Sequence, residues 1–273
     1  MHSFPGFPRQ KFLSPSVVGV VLLGLGCLFP LSAEADQAVP REITITTGEY
    51  APFNSSTFKY GGFIPRIITE AFRLKGVTAH IKFYPWARAY KLSKAGEVDG
   101  TAQWYDSEER RQFHVYSDPI FKETVVWFHL KETKFDWTDL KSLKSLRIGA
   151  VHGYTYTKEF YDLIKSGDLQ VQFVGDDEQN YKKLLARRID VVPEVLDVGL
   201  YIINRNYPPE TAQLFTQHDQ PFFSSYTYLL MPRQKKASTT LIALFNEGLK
   251  TLRDEGMIEQ YLLESREGRY NPD

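Results

Sequence analysis

The residues most able to do chemistry are six histidines, and their spacing argues against it. His2, His80, His114, His129, His152 and His218 are scattered, with neither the H-x-H nor the H-E-x-x-H spacing of a zinc site. Cys27 is the single cysteine, so disulfide frameworks and Cys-based zinc sites are excluded. No G-x-S-x-G nucleophile turn and no P-loop occurs. Gly24-Leu25-Gly26 is the nearest approach to a glycine-rich loop, and it falls inside an apolar N-terminal run. The paired carboxylates Glu108-Glu109 and Asp176-Asp177 stand where helices are expected to begin, where negative charge complements the helix dipole. Two distant carboxylates acting as acid and base would leave no local signature. Neither a metal nor a cofactor is expected.

Recognition chemistry is better represented. Gly48-Glu49-Tyr50-Ala51-Pro52-Phe53, Tyr84-Pro85-Trp86 and Gln103-Trp104-Tyr105 each follow an expected strand. Ligands of open α/β sheets bind at such carboxyl ends. Tyr50 offers a flat ring with a polar tip; taken alone, it reads equally well as a packing aromatic in a turn. Aromatics at successive strand ends argue more strongly for a ligand. Ser107-Glu108-Glu109-Arg110 reads as a helix start with Arg110 in its first turn, well made for a carboxylate. The plainer alternative is a surface arginine paired with Glu108 or Glu109. Arg88, two residues after Trp86, is either a second cation in the site or an exposed helix residue.

The elements that must position these residues alternate. Period-two, β-branched or apolar runs predict strands over 41–47, 80–83, 98–102, 124–128, 146–150, 171–174 and 189–192. Helical spacing covers 63–74, 86–95, 157–165 and 178–187, with Pro65 suited to a first turn and Gly76 to a stop. Near the end Leu241, Leu244, Phe245, Leu249 and Leu252 line one helix face, and Gly256 separates it from a last short helix. This order predicts α/β architecture with largely parallel sheets. Tyr90-Lys91, Ala95, Val98 and Asp99 recur as Tyr181-Lys182, Ala186, Ile189 and Asp190 at one offset, each set joining a helix end to a strand start. Such an echo predicts two similar lobes, with a ligand cleft between them.

Composition bounds the rest. The 273 residues are 42% hydrophobic and 24% charged, with Lys+Arg 33 against Asp+Glu 33. Those values exclude a disordered chain, and zero net charge argues against a nucleic-acid partner. Arg9 and Lys11 precede an apolar run over 17–29, then Pro30 and Ala33-Glu34-Ala35. That pattern predicts a secretory signal peptide over 1–35, cleaved after Ala35. The run is too short for a membrane span, and Gly24 argues against lipidation of Cys27. Removing Arg9, Lys11 and Glu34 with the leader leaves 33 − 2 = 31 basic and 33 − 1 = 32 acidic residues.

Several motifs then point one way. Tyr50-Ala51-Pro52-Phe53, Gly96-Glu97-Val98-Asp99, Ser107-Glu108-Glu109-Arg110 and Tyr116-Ser117-Asp118-Pro119 recur in this order in one family. So do the run from Ser142 to Gly149, Gly153-Tyr154-Thr155, Arg188-Ile189-Asp190 and Leu252-Arg253-Asp254-Glu255-Gly256. The chain resembles the family 3 periplasmic solute-binding proteins that serve polar amino-acid ABC transporters. The resemblance runs over essentially all of the chain after the leader. It implies an α/β, two-lobed periplasmic-binding-protein fold (type II), with two crossover hinge segments and a ligand cleft between the lobes. Lobe one would be 36–122 and 223–273, and lobe two 123–222. It also implies a monomeric periplasmic binder, not an enzyme, that captures a small polar carboxylated solute. That solute would be an amino acid or related organic acid, delivered to an inner-membrane ABC permease or a sensor.

Carried over residue by residue, the resemblance has Tyr50 and Trp86 sandwich the solute while Arg110 takes its carboxylate in a bidentate pair. Tyr154 and Thr155 would contribute from the second lobe, Thr155 with a hydroxyl and a backbone N–H at a helix start. Two departures stand out. Gln103, Trp104 and Tyr105 replace the small hydroxyl residues usual before the arginine. The acid for an α-amino group would fall at Val195, with Glu194 its neighbour as substitute and Pro193 before it; Glu194 reads equally as a helix-start residue. Arg88 with Arg110 would favour a dicarboxylate or another small acid. The same fold also hosts periplasmic cyclohexadienyl dehydratases, so the alternative is a lyase with Glu194 as general acid.

Overall fold

The chain divides into two units, Met1–Gln37 and Ala38–Asp273, and the computed structural model describes residues 39–272. The leader expected over 1–35, with Cys27 and the cleavage after Ala35, lies outside the described residues.

The first half opens with β1 (Glu42–Thr47), whose alternation buries Ile43 and Ile45 completely or nearly so. Helix α1 (Phe63–Arg73) carries Pro65 in its first turn, where the missing N–H costs nothing. Then come β2 (Thr78–Phe83), α2 (Trp86–Lys94) and β3 (Gly100–Tyr105). Both β2 and β3 lie parallel to β1, one on each side. After α3 (Glu108–Phe113) and β4 (His114–Tyr116), the long strand β5 (Phe121–Leu130) leaves this lobe.

The second half repeats the plan with β6 (Arg147–Val151), α4 (Lys158–Ser166), β7 (Gln170–Val174), α5 (Asp177–Leu185) and β8 (Val191–Val195). Here β7 and β8 flank β6 in parallel. Helices α6 (Leu196–Asn206) and α7 (Pro209–Ala212), with strand β9 (Phe215–Gln217), lead to β10 (Phe223–Pro232), which returns the chain. Helices α8 (Ser238–Asp254) and α9 (Met257–Arg266) close it.

Across the sheet the order is β2-β1-β3-β10-β5-β8-β6-β7, with β4 on β10 and β9 on β5. Two parallel triplets are thus joined by an antiparallel pair, β10 and β5, which is the two-lobed architecture. The expected lobe crossings, 122/123 and 222/223, fall on β5 and at the start of β10. The offset echo occupies equivalent places: Asp99 stands just before β3 and Asp190 just before β8.

One hydrophobic cluster runs through both lobes, from Ile43 and Phe72 to Tyr181 and Ile202, and a smaller one lies within the second. In the first lobe, α1 packs on α8 so closely that a Cβ on Gly248 would lie 2.0 Å from the Ala71 carbonyl oxygen. Phe72 and Phe245 meet there with ring centroids 5.3 Å apart. The second lobe gathers Trp127, Trp137, Leu143, Ile148 and Phe160. Among the described residues no helix is long and apolar enough to cross a membrane.

Candidate ligand-binding site

The strand ends converge between the lobes. After β1 the chain turns tightly, Phe53 and Asn54 both donating backbone N–H bonds to the Tyr50 carbonyl at 2.9 and 3.0 Å. This holds the Tyr50 ring out over the cleft. Trp86, at the first turn of α2, lies flat against Gly48; a Cβ there would come within 2.3 Å of the indole. Only glycine permits that approach. Tyr50 and Trp86 meet edge to face, centroids 6.3 Å apart, and Trp86 meets Trp104 the same way at 5.2 Å.

Strand β3 carries a bulge. Its register with β10 shifts between Tyr228 and Leu229, leaving Gln103 as the extra residue, with φ 64. A side-chain-bearing residue at positive φ is strained, and bulges re-aim neighbouring side chains. Here the consequence is that Gln103, Trp104 and Tyr105 all face the cavity, where regular alternation would turn one away. The amide of Asn54 donates to Gln103 Oε1, and Gln103 Nε2 donates to Glu123 Oε1 at 2.9 Å. The Tyr105 hydroxyl donates to Glu123 Oε2 at 2.5 Å. Glu123 shares the inward face of β5 with Phe121 and Val125, an acid among apolar neighbours.

The second lobe answers with tyrosines and another acid. Tyr154 and Tyr156 follow β6, and Glu194 closes β8. The Tyr154 hydroxyl donates to Asp177 at 2.6 Å, while Tyr156 accepts the Val151 N–H at 2.9 Å. Glu194 Oε1 accepts the Val195 N–H at 2.8 Å and the Tyr50 hydroxyl at 3.3 Å. That last bond crosses the cleft, as does the edge-to-face contact of Tyr50 with Tyr154 at 5.8 Å. Outside this lining, Arg266 of α9 grips Asp197 of α6 through two bonds of 2.7 and 3.1 Å. The cavity between the strand ends has a volume of about 630 Å³, its opening to solvent included.

Of the residues expected at the site, Tyr50, Trp86, Gln103, Tyr105, Tyr154, Thr155 and Glu194 are brought together in this lining. Arg88 and Arg110 are not. Arg88 is exposed with its guanidinium over Tyr84, 4.8 Å from the ring centroid. Arg110 does sit behind a capped helix start, the Ser107 hydroxyl accepting its N–H at 3.2 Å. Its guanidinium, however, donates to the Tyr105 carbonyl at 3.0 Å and lies over Trp104 at 4.9 Å. Thr155 lies in a loop, since α4 is capped by Thr157, two residues further on. Glu194 belongs to a strand and is not a helix start.

Among the described residues no lysine or arginine lines the cavity, and no group of histidines, cysteines or acids is placed to hold a metal ion. Glu123, Tyr156 and Phe223 line it without having been expected to. The signal for Glu123 was present: β5 begins three residues before the predicted strand, and a glutamate alternating with Phe121 and Val125 marks an acid pointing inward. Asp176 caps α5, its carboxylate accepting the Gln179 N–H, and Asp177 follows in the first turn, where it also faces Tyr154 and Glu194.

Burial sets the electrostatics. Removal from water pushes the Glu123 carboxyl up to about 7, against the opposing hydrogen bonds from Tyr105 and Gln103. Burial, and then the Asp177 carboxyl close by, push Glu194 well above the carboxylate range. The Tyr50, Tyr105 and Tyr154 hydroxyls are pushed up too, chiefly by burial and then by neighbouring acids, so they act as neutral donors. The cleft therefore presents aromatic faces, hydroxyl donors and acids poised to lose protons.

Two parallel-sheet lobes, an antiparallel pair between them and an enclosed cleft at the strand ends define a periplasmic-binding-protein architecture. Over residues 43–264 the sequence matches the bacterial extracellular solute-binding proteins, family 3, and this chain belongs to that family. Among solved structures, a histidine kinase sensor domain with similarity to periplasmic binding proteins superposes with a TM-score of 0.69 at 18% identity, covering 83% of this chain and 96% of that one. An ancestral arginine-binding protein bound to arginine gives 0.67 at 18%, covering 83% and 98%. An amino acid ABC transporter substrate-binding protein from Streptococcus pneumoniae bound to L-arginine gives 0.68 at 14%, covering 83% and 95%. At such identities the likeness speaks for the fold. Among curated proteins no match to the sequence is found.

Proposed function

We propose that this chain is an exported receptor that encloses one small polar solute between its lobes and presents it to an inner-membrane ABC permease or a sensor. The observation that supports this best is a small cavity lined from both lobes, with Tyr50 and Trp86 on one side and Tyr154 and Glu194 on the other. A solute touching both lobes favours the closed arrangement by its differential affinity for it. Export to the periplasm through the leader over 1–35 belongs to the same reading, as does action as a monomer.

An amino acid or related carboxylated solute is the class implied by the family motifs, and neighbours of this fold have been solved with arginine and with glutamate. For this chain that class requires Arg110 to leave Tyr105 and Trp104 and turn into the cleft. A thermal-shift screen of the purified protein against amino acids, organic acids and amines tests the receptor reading. A solute at 100 times its dissociation constant stabilises by about 2.7 kcal/mol, a readable rise in melting temperature. No rise with any small solute would defeat it.

One feature favours a second reading. Glu123, held near 7, and Glu194, pushed well above the carboxylate range by burial and by Asp177, are buried carboxyls suited to donate protons. A lyase on the same fold would use such a group to expel water from a carboxylated ring. Turnover of prephenate or arogenate would establish it; stabilisation by a solute without turnover would remove it.

A further inference from the structure

The recognised group must complement what faces the cavity, and that is acid and aromatic surface. Glu123 is 2% exposed and Glu194 3%, and both line the cavity. Glu194 Oε1 takes hydrogen bonds from the Tyr50 hydroxyl and the Val195 N–H, and the Asp177 carboxyl stands against the same group. A solute carboxylate entering here would meet two acids and no cation in the lining. Arg110 is occupied with the Tyr105 carbonyl and the Trp104 ring. A cation would find the reverse. Ring faces attract it, most strongly when water is excluded, and charge-assisted bonds to buried carboxylates are short and strong.

We propose that the group recognised by this cleft is a small organic cation with N–H donors, an alkylammonium or a guanidinium without a carboxylate of its own. It is held between Glu123 and Glu194 and walled by Tyr50, Trp86 and Tyr105. This rests on the receptor reading above and narrows its solute class. N–H donors are required because the acids accept hydrogen bonds, so a quaternary ammonium binds less well than a primary amine of similar size.

Proton linkage gives the proposal a second signature. Glu123 faces Tyr105 and Gln103 from β3, with Asp197 of α6 adding repulsion. Glu194 faces Asp177 of α5 and the Tyr50 hydroxyl. Tyr154, Tyr156 and Tyr181 stand around it, neutral. An entering cation favours ionised carboxyls, so binding releases protons and tightens as pH rises from 6 to 8. An anion would bind more weakly over the same range.

The test is titration calorimetry of the purified protein with matched pairs that differ by charge: agmatine against arginine, and butylamine against butyrate. The expected result is that each amine without a carboxylate binds at least tenfold more tightly than its partner. Agmatine should tighten at least threefold from pH 6 to pH 8. Glu194→Gln should lose at least tenfold with an unchanged circular dichroism spectrum, and Arg110→Ala less than threefold. If arginine or butyrate binds more tightly, or if Arg110→Ala abolishes binding, the cation inference is overturned while the receptor reading stands. Failure of every small solute, these amines included, overturns both.

Discussion

In the first lobe Asp99 accepts the Thr44 N–H at 2.8 Å and returns its own N–H to the Thr44 carbonyl at 2.9 Å. In the second, Asp190 does the same with Arg147, at 2.7 Å each way. Both aspartates stand just before the third strand of a parallel triplet and pin its start to the central strand. They differ in their cations: Asp99 pairs with Lys235 from beyond β10, whereas Asp190 takes a bidentate pair from Arg147 itself. At the other end of the same strands the likeness stops. β3 ends in a bulge that presents an amide and two aromatic rings, while β8 ends in Pro193, Glu194 and Val195. The scaffold is repeated where strands begin, and function diverges where they end, at the carboxyl edge that faces the cleft.

Several changes would break or sharpen this comparison. The largest effect is expected at Glu123, on the strand that joins the lobes. Its folded value of about 7 lies above the ordinary 4.5, so its stabilisation is complete below 4.5 and is lost as pH climbs through 7. The loss is on the order of 3 kcal/mol. Denaturant titrations from pH 4.5 to 8 should show this decline in the solute-free protein, and Glu123→Gln should make it shallower, leaving the part that Glu194 contributes. An equal decline in the variant would place the responsible group elsewhere.

Next come the pins. Asp190→Ala and Asp99→Ala each remove a charge-assisted bond to a backbone N–H and an ion pair, a cost of about 2 kcal/mol. Urea unfolding should find the two close, Asp190→Ala the more costly because its cation also pairs in bidentate fashion. A difference above about 1.4 kcal/mol would show that the echo is one of sequence and not of energetics.

Gly48→Ala tests the aromatic side of the cleft. An added methyl must displace the Trp86 indole, with overpacking of about 1–2 kcal/mol, and solute affinity should fall because the ring no longer meets Tyr50. Tryptophan fluorescence and calorimetry would report both. The smallest effect belongs to the contact of α9 with α6: Arg266→Ala removes a half-exposed pair with Asp197, for about 1 kcal/mol or less. Affinity should weaken no more than fivefold, through faster release.

Much of the fold was legible from residue order. The strand predicted over 41–47 is Glu42–Thr47, and the helix over 63–74 is Phe63–Arg73. Each was readable because its periodicity is local. β10 was not read, although it sits at the centre of the sheet. Its first half, with Ser224 and Ser225, is partly exposed, and only pairing with distant β5 and β3 makes it a strand. α6 was not among the predicted helices; its Gly199 lets Phe128 approach to within 2.3 Å of where a Cβ would stand.

The site divides along the same line. The sequence by itself determined that aromatics stand at successive strand ends, that Ser107 caps a helix bearing Arg110, and that two halves share one plan. Those are consequences of spacing along the chain. Tertiary structure alone decided that Arg110 turns to the Tyr105 carbonyl, that a bulge swings Trp104 inward, and that Glu123 and Glu194 are buried in one cleft. The reason is physical: desolvation and pairing of a charge depend on neighbours brought from distant parts of the chain.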